Sequence, residues 1–128
     1  MVTIDIPIKD PTMFLHAGAE KVEVINEDGV LLLYNNPSSR KITLSKNVRV
    51  ISSTAFEKCK RIADVYIPDT VEKIEEGAFN DCSNLQIISV DNDTVVENGY
   101  ESVFKGCGYV TLNIRFKDYT QAILRRIF

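Results

Sequence analysis

The chain has 128 residues, of which 45% are hydrophobic and 26% charged, a composition typical of one ordinary globular domain. The formal net charge of −3 gives no overall field that would favour binding to nucleic acid or to a membrane. No run of about 18 apolar residues occurs, so the sequence predicts no transmembrane helix.

The beginning of the chain, MVTIDIPIKDP, carries acids and a proline where a secretory signal peptide has a basic start and an apolar core. We therefore expect either an intracellular, cytoplasmic protein or one whose leader has been removed. The three cysteines form no CxxC pair, and their odd number favours reduced thiols over a disulfide framework.

Residues 1–41 are predicted to form an N-terminal cap. Ile4–Ile6 alternates like a short strand before two prolines interrupt it, and the only histidine, His16, follows in the same irregular stretch. Residues 21–34 predict a β-hairpin, because valines alternate with charged residues on one side of the turn segment Asn26–Gly29 and an apolar run returns on the other.

Residues 42–64 and 65–87 carry the same pattern, at an interval of 23 residues. The identical pairs are Val48/Val71, Ile51/Ile74, Ala55/Ala78, Phe56/Phe79 and Cys59/Cys82. A fixed period of this size indicates stacked repeats, each too small to bury its apolar side alone. Within a repeat, a short strand such as Val65–Ile67 ends at Pro68 and is predicted to lead into a turn and a brief helix or 3₁₀ segment.

A third and less regular copy follows at an interval of 25 residues, which aligns Phe104 with Phe79 and Cys107 with Cys82. We assign the two surplus residues to a polar loop over residues 91–99, and the closing strand to residues 110–116. Residues 117–128 predict a C-terminal helix cap. Asp118 suits the first position of a helix, and an apolar stripe follows, formed by Tyr119, Ala122, Ile123 and Ile127.

The repeat resembles the BspA-type (Treponema pallidum-type) bacterial leucine-rich repeat, whose pattern is approximately L-x-x-V-x-I-P-x-x-V-x-x-I-G-x-x-A-F-x-x-C-x-x-L. The chain carries this pattern from Ile62 to Leu85, with Glu75 in place of the usual glycine. In the preceding copy, Ser45 stands where this copy has Pro68. The similarity extends over about residues 26–112.

This resemblance implies an α/β repeat fold: a short leucine-rich-repeat solenoid with a parallel sheet on its concave side. It places about three repeats in residues 42–116, between the N-terminal hairpin cap and the C-terminal helix cap. It also implies a non-enzymatic module for protein–protein interaction or adhesion, commonly secreted or displayed on the cell surface of host-associated bacteria.

Outward-facing positions on the predicted strands form two rows, which we expect to be the partner-binding surface. If Val65 and Ile67 face the core, the residues between and before them face outward. The repeat spacing then aligns Lys41, Asp64 and Ile87 in one row and Thr43, Tyr66 and Ser89 in the other. Tyr66 is a candidate aromatic anchor. The alternative is that these rows are ordinary surface positions of a small sheet with no binding role, or that a terminal segment covers Ile87.

Charge is distributed unevenly between the repeats. Residues 40–61 carry a formal net charge of +6, and residues 62–101 carry a formal net charge of −9. Solvated faces explain this pattern most simply. The alternative function is a small intracellular inhibitor or regulator that acts through these acidic and basic patches on a nucleic-acid-associated partner; we consider direct binding to nucleic acid the weaker case.

The sequence predicts no catalytic set, cofactor site or metal site. The three cysteines share one repeat position and should stack as buried thiols, since a zinc site needs about four convergent ligands. His16 has no identifiable nucleophile or acid beside it. A solvated turn explains the glutamates at Glu72, Glu75 and Glu76, and the segment Asp91–Asp93 lacks the remaining features of a calcium loop.

Overall fold

The computed structural model describes residues 2–4, 21–36 and 39–116. The elements in chain order are β1 (Val2–Ile4), β2 (Val22–Ile25), β3 (Val30–Asn35), β4 (Lys41–Thr43), β5 (Val50–Ile51), β6 (Asp64–Tyr66), β7 (Lys73–Ile74), β8 (Ile87–Asp91), β9 (Val95–Val96), α1 (Tyr100–Val103) and β10 (Thr111–Arg115).

Two sheets form a β-solenoid. One sheet has four parallel strands in the order β10-β8-β6-β4, and the other has six strands in the order β1-β2-β3-β5-β7-β9. Each repeat contributes one strand to each sheet, because the chain turns once between β4 and β5, between β6 and β7, and between β8 and β9. The predicted parallel sheet is confirmed as the four-stranded sheet.

The predicted α/β repeat is wrong in its helical half. After Val48 and Val71 the chain forms the two-residue strands β5 and β7, which pair in parallel with each other and lead into turns. In place of the predicted helical segment, the chain after Ile74 forms a series of turns, in which the N–H of Ala78 donates to the carbonyl of Glu75 and the N–H of Cys82 to that of Phe79. Within the described residues α1 is the single helix, and it lies in the third repeat.

The 23-residue interval is confirmed by the strand register, which pairs Ile42 with Val65 and Val65 with Ile88. These residues and the next inward positions (Leu44, Ile67 and Val90) are buried in one continuous core. Burial of aliphatic side chains in such columns is the main source of stability for a repeat stack.

An aromatic ladder runs through this core, as the repeated phenylalanine positions predict. The rings of Phe56 and Phe79 stack with centroids 4.5 Å apart and an interplanar angle of 16°, and Phe104 follows Phe79 at 5.6 Å. Tyr34 extends the ladder on the other side, 5.6 Å from Phe56. The hairpin is thus joined to the repeats by the same contacts that join the repeats to each other.

The predicted hairpin is confirmed: β2 and β3 are antiparallel, and Gly29 ends the turn at a φ of +79°. Its second strand also pairs in parallel with β5. The N–H of Tyr34 donates to the carbonyl of Ala55, as the N–H of Phe79 donates to the carbonyl of Val103. Strand β3 therefore occupies the place that a preceding repeat would fill in the six-stranded sheet. It covers the first repeat.

The third repeat is irregular in the last part of the predicted loop and just after it. Asp91 ends β8 and Val95–Val96 forms β9, so most of residues 91–99 follow the repeat path. The extra residues fall between Val96 and Val103, where α1 begins after Gly99 at a φ of +83°. A short helix absorbs the surplus and returns Val103 to the buried position of the repeated alanine.

Three calls on the ends of the chain lie wholly or partly outside the described residues. They concern His16, the predicted strand at Ile4–Ile6 beyond Ile4 itself, and the predicted C-terminal helix over residues 117–128. The boundaries of the two caps therefore stay predictions. The closing strand is confirmed at Thr111–Arg115.

Candidate functional site

The two predicted rows exist on the four-stranded sheet. The register of β4, β6 and β8 aligns Lys41, Asp64 and Ile87 in one row and Thr43, Tyr66 and Ser89 in the other. Strand β10 adds one member to each row, Thr111 opposite Ile87 and Asn113 opposite Ser89. The outward side of this sheet is called the row face below.

Exposure differs along the row face. Lys41 and Thr43 are exposed and Asp64 is half-buried. Tyr66 is 42% exposed and Ile87 is 37% exposed, so both apolar candidates remain open to solvent. Ser89 is only 8% exposed. The expectation that Ser89 offers a free surface position is therefore wrong.

Arg115 is the reason that Ser89 is buried. It is the last residue of β10 and lies opposite Asp91 in the register. Its Nη1 donates to Ser89 Oγ at 2.6 Å and its Nη2 donates to the carbonyl oxygen of Ile67. Its Nε lies 3.4 Å from Asp91 Oδ1. The side chain thus lies across β8, reaches the end of β6 and covers the serine.

The guanidinium of Arg115 also lies over the ring of Tyr66, with Cζ 4.2 Å from the ring centroid. A cation over an aromatic face is attracted by the ring quadrupole. The pairing occupies one side of the ring and links β10 to β6 across the sheet. It also holds together two residue types that concentrate binding energy at protein interfaces, tyrosine and arginine.

A depression of about 510 Å³ lies at the carboxyl ends of these strands. It is lined by Tyr66, Pro68, Asp91 and Arg115, with Lys46, Asp69 and Phe116 completing the lining. Phe116 is 62% exposed. The size is within the range of small ligand pockets, which is about 300–1,000 Å³. We call this depression the Tyr66 pocket.

Sequence reasoning missed Arg115 because the repeat interval changes near the end of the chain. The 25-residue interval of the third copy would place Leu112 opposite Ile87, whereas the structure places Thr111 there. A slip of one residue moves every side chain of a strand to the other face. The alternation Thr-Leu-Asn-Ile-Arg in β10 was the available signal, since it puts the polar residues outward.

The cysteines form the predicted column in the core. Cys59 and Cys82 are buried, Cys107 is half-buried, and all three are free. Burial raises the pKa of each thiol, to about 12 for Cys82. The thiol of Cys107 donates to the carbonyl of Phe79 at 3.1 Å. These are protonated side chains that pack as small apolar groups.

The described part of the chain contains no cluster of three or more His, Cys, Asp or Glu side chains that could hold a metal ion. In the same residues, no helix has the length and apolarity needed to cross a membrane.

Some of the charged side chains form ion pairs between neighbouring repeats. Arg49, from the basic repeat, contacts Glu72 of the acidic repeat at 2.7 Å, and Lys73 contacts Glu97 at 3.0 Å. The hydrogen bond from Arg49 lowers the pKa of Glu72, and the one from Lys73 lowers the pKa of Glu97. These ion pairs support the explanation of the uneven charge as solvated surface side chains, some of which pair with each other.

The family model described as "BspA type Leucine rich repeat region (6 copies)" matches residues 30–128, well over half of the chain. Neither the curated proteins nor the solved structures that were searched gave a match. Proteins of this repeat family typically act through protein–protein interaction. Repeat pattern, register and family model agree, and the chain belongs to the BspA-type leucine-rich repeat family.

Proposed function

We propose that this protein is a non-enzymatic module that binds another protein through its row face. The observation that carries the proposal is the exposure of Tyr66 and Ile87 in two registered rows of otherwise polar or charged side chains. Adhesion to a protein on another cell is one form that this function takes if the protein is displayed at a bacterial surface.

The row face has the physical properties of a recognition surface. Four parallel strands fix the spacing of its side chains, and the inward residues of β4, β6 and β8 are buried in the core. A partner therefore pays little to order the surface on which it binds. Tyr66 and Ile87 offer apolar area near the centre, and the surrounding Lys41, Thr43 and Asp64 offer polar contacts, which is the usual arrangement of core and rim at interfaces.

Affinity capture from a lysate of the source cells tests the proposal. The bait is the tagged protein, and the test variants are Tyr66→Ala and Ile87→Ser. The matched control is Val95→Ser, which makes the same apolar-to-serine change at an exposed position of the six-stranded sheet. We expect a partner that the wild type and Val95→Ser retain and that both row-face variants lose. Retention of every captured protein by Tyr66→Ala and Ile87→Ser would refute binding at the row face.

A further inference from the structure

We propose that residues 117–128 dock on the open C-terminal end of the solenoid core and leave the row face free. The surface that they cover is called the end face, and it consists of the last apolar residues of the core columns, namely Phe104, Cys107, Val110, Leu112 and Ile114. The sequence predicts a helix in residues 117–128 without indicating the surface on which it packs. This docking goes beyond the proposed function, because it concerns the free protein and not its partner.

The inward columns of the four-stranded sheet lose their cover at β10. The register pairs Ile88 with Leu112 and Val90 with Ile114. Ile88 and Val90 are fully buried, whereas Leu112 is 36% exposed and Ile114 is 37% exposed. The first members of the same columns, at the opposite edge of the sheet, are buried as well. Within the described residues, the core is therefore closed at its N-terminal end and open at its C-terminal end.

The turn side of the third repeat shows the same loss of burial. Phe79 and Cys82 are fully buried, but Phe104 and Cys107, which follow them in their columns, are only partly buried. Strands β9 and β10 are the edge strands of their sheets at this end. Apolar surface and sheet edges that lie open together favour association with another segment.

Residues 117–128 are the part of the chain that begins at this end. Strand β10 ends at Arg115, so the segment starts two residues after a strand of the end face. Residues 5–20 instead connect β1 to β2, at the opposite side of the six-stranded sheet from β9. A short tether gives a segment an effective concentration of about a millimolar, which a second copy of the chain reaches only in concentrated solution.

The apolar stripe of the predicted helix suits such a surface. It consists of Tyr119, Ala122, Ile123 and Ile127. An isolated helix of this length is marginal in water and needs an apolar surface to pack against. Twelve helical residues span about 18 Å, and packed sheets lie about 10 Å apart. The helix is therefore long enough to cross the core from β10 toward β9.

The row face is the competing surface for this stripe. Its exposed apolar side chains, Tyr66 and Ile87, lie among polar and charged ones, and Arg115 already occupies one side of the Tyr66 ring. The end face is continuous with the core, so a helix there buries more apolar surface. A segment held at the end face also leaves Tyr66 and Ile87 open to a partner.

Intramolecular photo-crosslinking in the full chain tests the inference. A benzoylphenylalanine replaces Tyr119 in the stripe or, as the control, Gln121, which lies about 200° round the predicted helix from Tyr119. The dilute, purified protein is irradiated and digested with trypsin, which releases residues 106–115 as one peptide with Leu112 and Ile114. We expect position 119 to give an adduct within this peptide and position 121 to give none there.

Alkylation of the cysteines with iodoacetamide, resolved by site with mass spectrometry, gives a second measurement. Cys107 belongs to the end face, and the buried Cys59 and Cys82 report any unfolding of the core. Ile123→Asp should speed the alkylation of Cys107 about tenfold or more, because burial of an isoleucine shifts an equilibrium by at least about that factor. The matched control Gln121→Asp should stay within about twofold of the wild type. Cys59 and Cys82 should react equally slowly in all three proteins.

Four results would overturn the inference. They are equal adducts from positions 119 and 121, adducts only between two copies of the chain, an adduct on the row face at Tyr66 or Ile87, and equal alkylation of Cys107 in the two variants. Adducts between copies would assign the end face to a second copy of the chain. An adduct on the row face would count against the proposed function as well, whereas the other three results leave that function standing.

Discussion

The backbone N–H of Ser45 donates to a carboxylate oxygen of Glu23 at 2.9 Å, and this bond satisfies a group that the next repeat does not have. By the 23-residue spacing Ser45 occupies the position of Pro68, and proline has no N–H. Glu23 is buried, and the ammonium of Lys21 lies 3.5 Å from its other oxygen. The hairpin therefore supplies an acceptor for the first repeat, one that the second repeat with Pro68 does not need.

We expect Glu23→Ala to lower the free energy of unfolding by about 1–3 kcal/mol, because it leaves the Ser45 N–H without its acceptor. In a Ser45→Pro background, which removes that N–H, the same change should cost less. Urea unfolding of the two single variants and the double variant gives the coupling energy. A coupling energy of zero would contradict the role assigned to this bond.

The aromatic ladder predicts that its middle ring matters most. Phe79→Ala should cost roughly 3–5 kcal/mol, because the cavity would lie between two ring neighbours in a fully buried site. Phe104→Ala should cost less, since Phe104 is only partly buried. Urea melts of the two variants provide the comparison, and equal costs would mean that the ladder does not join the repeats as described.

Two glycines near the end of the third repeat differ in a way that alanine substitution can measure. Gly106 has a φ of +83°, and a Cβ there would clash with Asp81 Oδ1 and lie 3.2 Å from Asp81 Cα. A Cβ at Gly108 would have no atom within 4 Å, and Gly108 has no positive φ. Gly106→Ala should therefore lower stability by more than about 1 kcal/mol, and Gly108→Ala should be neutral or slightly stabilising. Thermal unfolding of the two variants checks this, and the reverse order would contradict it.

Alkaline pH should destabilise the fold. Burial raises the pKa of Cys82 to about 12, and it also raises the pKa of Cys59 and Cys107. The folded-state pKa of these thiols lies above their unfolded value. Their contribution to stability is therefore complete below about pH 8.5 and is lost as the pH rises toward 12. The melting temperature should fall over this range, and Cys82→Ala should flatten the fall. An equally steep fall in Cys82→Ala would assign the effect to other groups.

Much of the fold could be predicted from residue identity at a fixed interval. The matches at Phe56/Phe79 and Cys59/Cys82 give the repeat, and the alternation at Val65–Ile67 gives the strand and its faces. The second sheet could not be predicted in this way. Apart from the hairpin, its strands β5, β7 and β9 have two residues each, and a pattern of period two cannot be recognised in so short a segment.

The candidate site was predicted in part for a related reason. Spacing alone aligned Tyr66 and Ile87 in their rows, and the register agrees. The cover over Ser89 depends on the long side chain of Arg115, which crosses a strand to reach it. Such a contact depends on the register of β10, and that register departs from the interval of the earlier repeats.

Site-specific photo-crosslinking tests the central claim most directly. A benzoylphenylalanine is placed at position 87 on the row face, or at position 95, which is exposed on the six-stranded sheet. The protein is irradiated in the lysate from which it captures its partner, and adducts are identified by mass spectrometry. We expect an adduct with the captured partner from position 87 and none from position 95. An adduct from position 95 alone, or equal adducts from both positions, would contradict it.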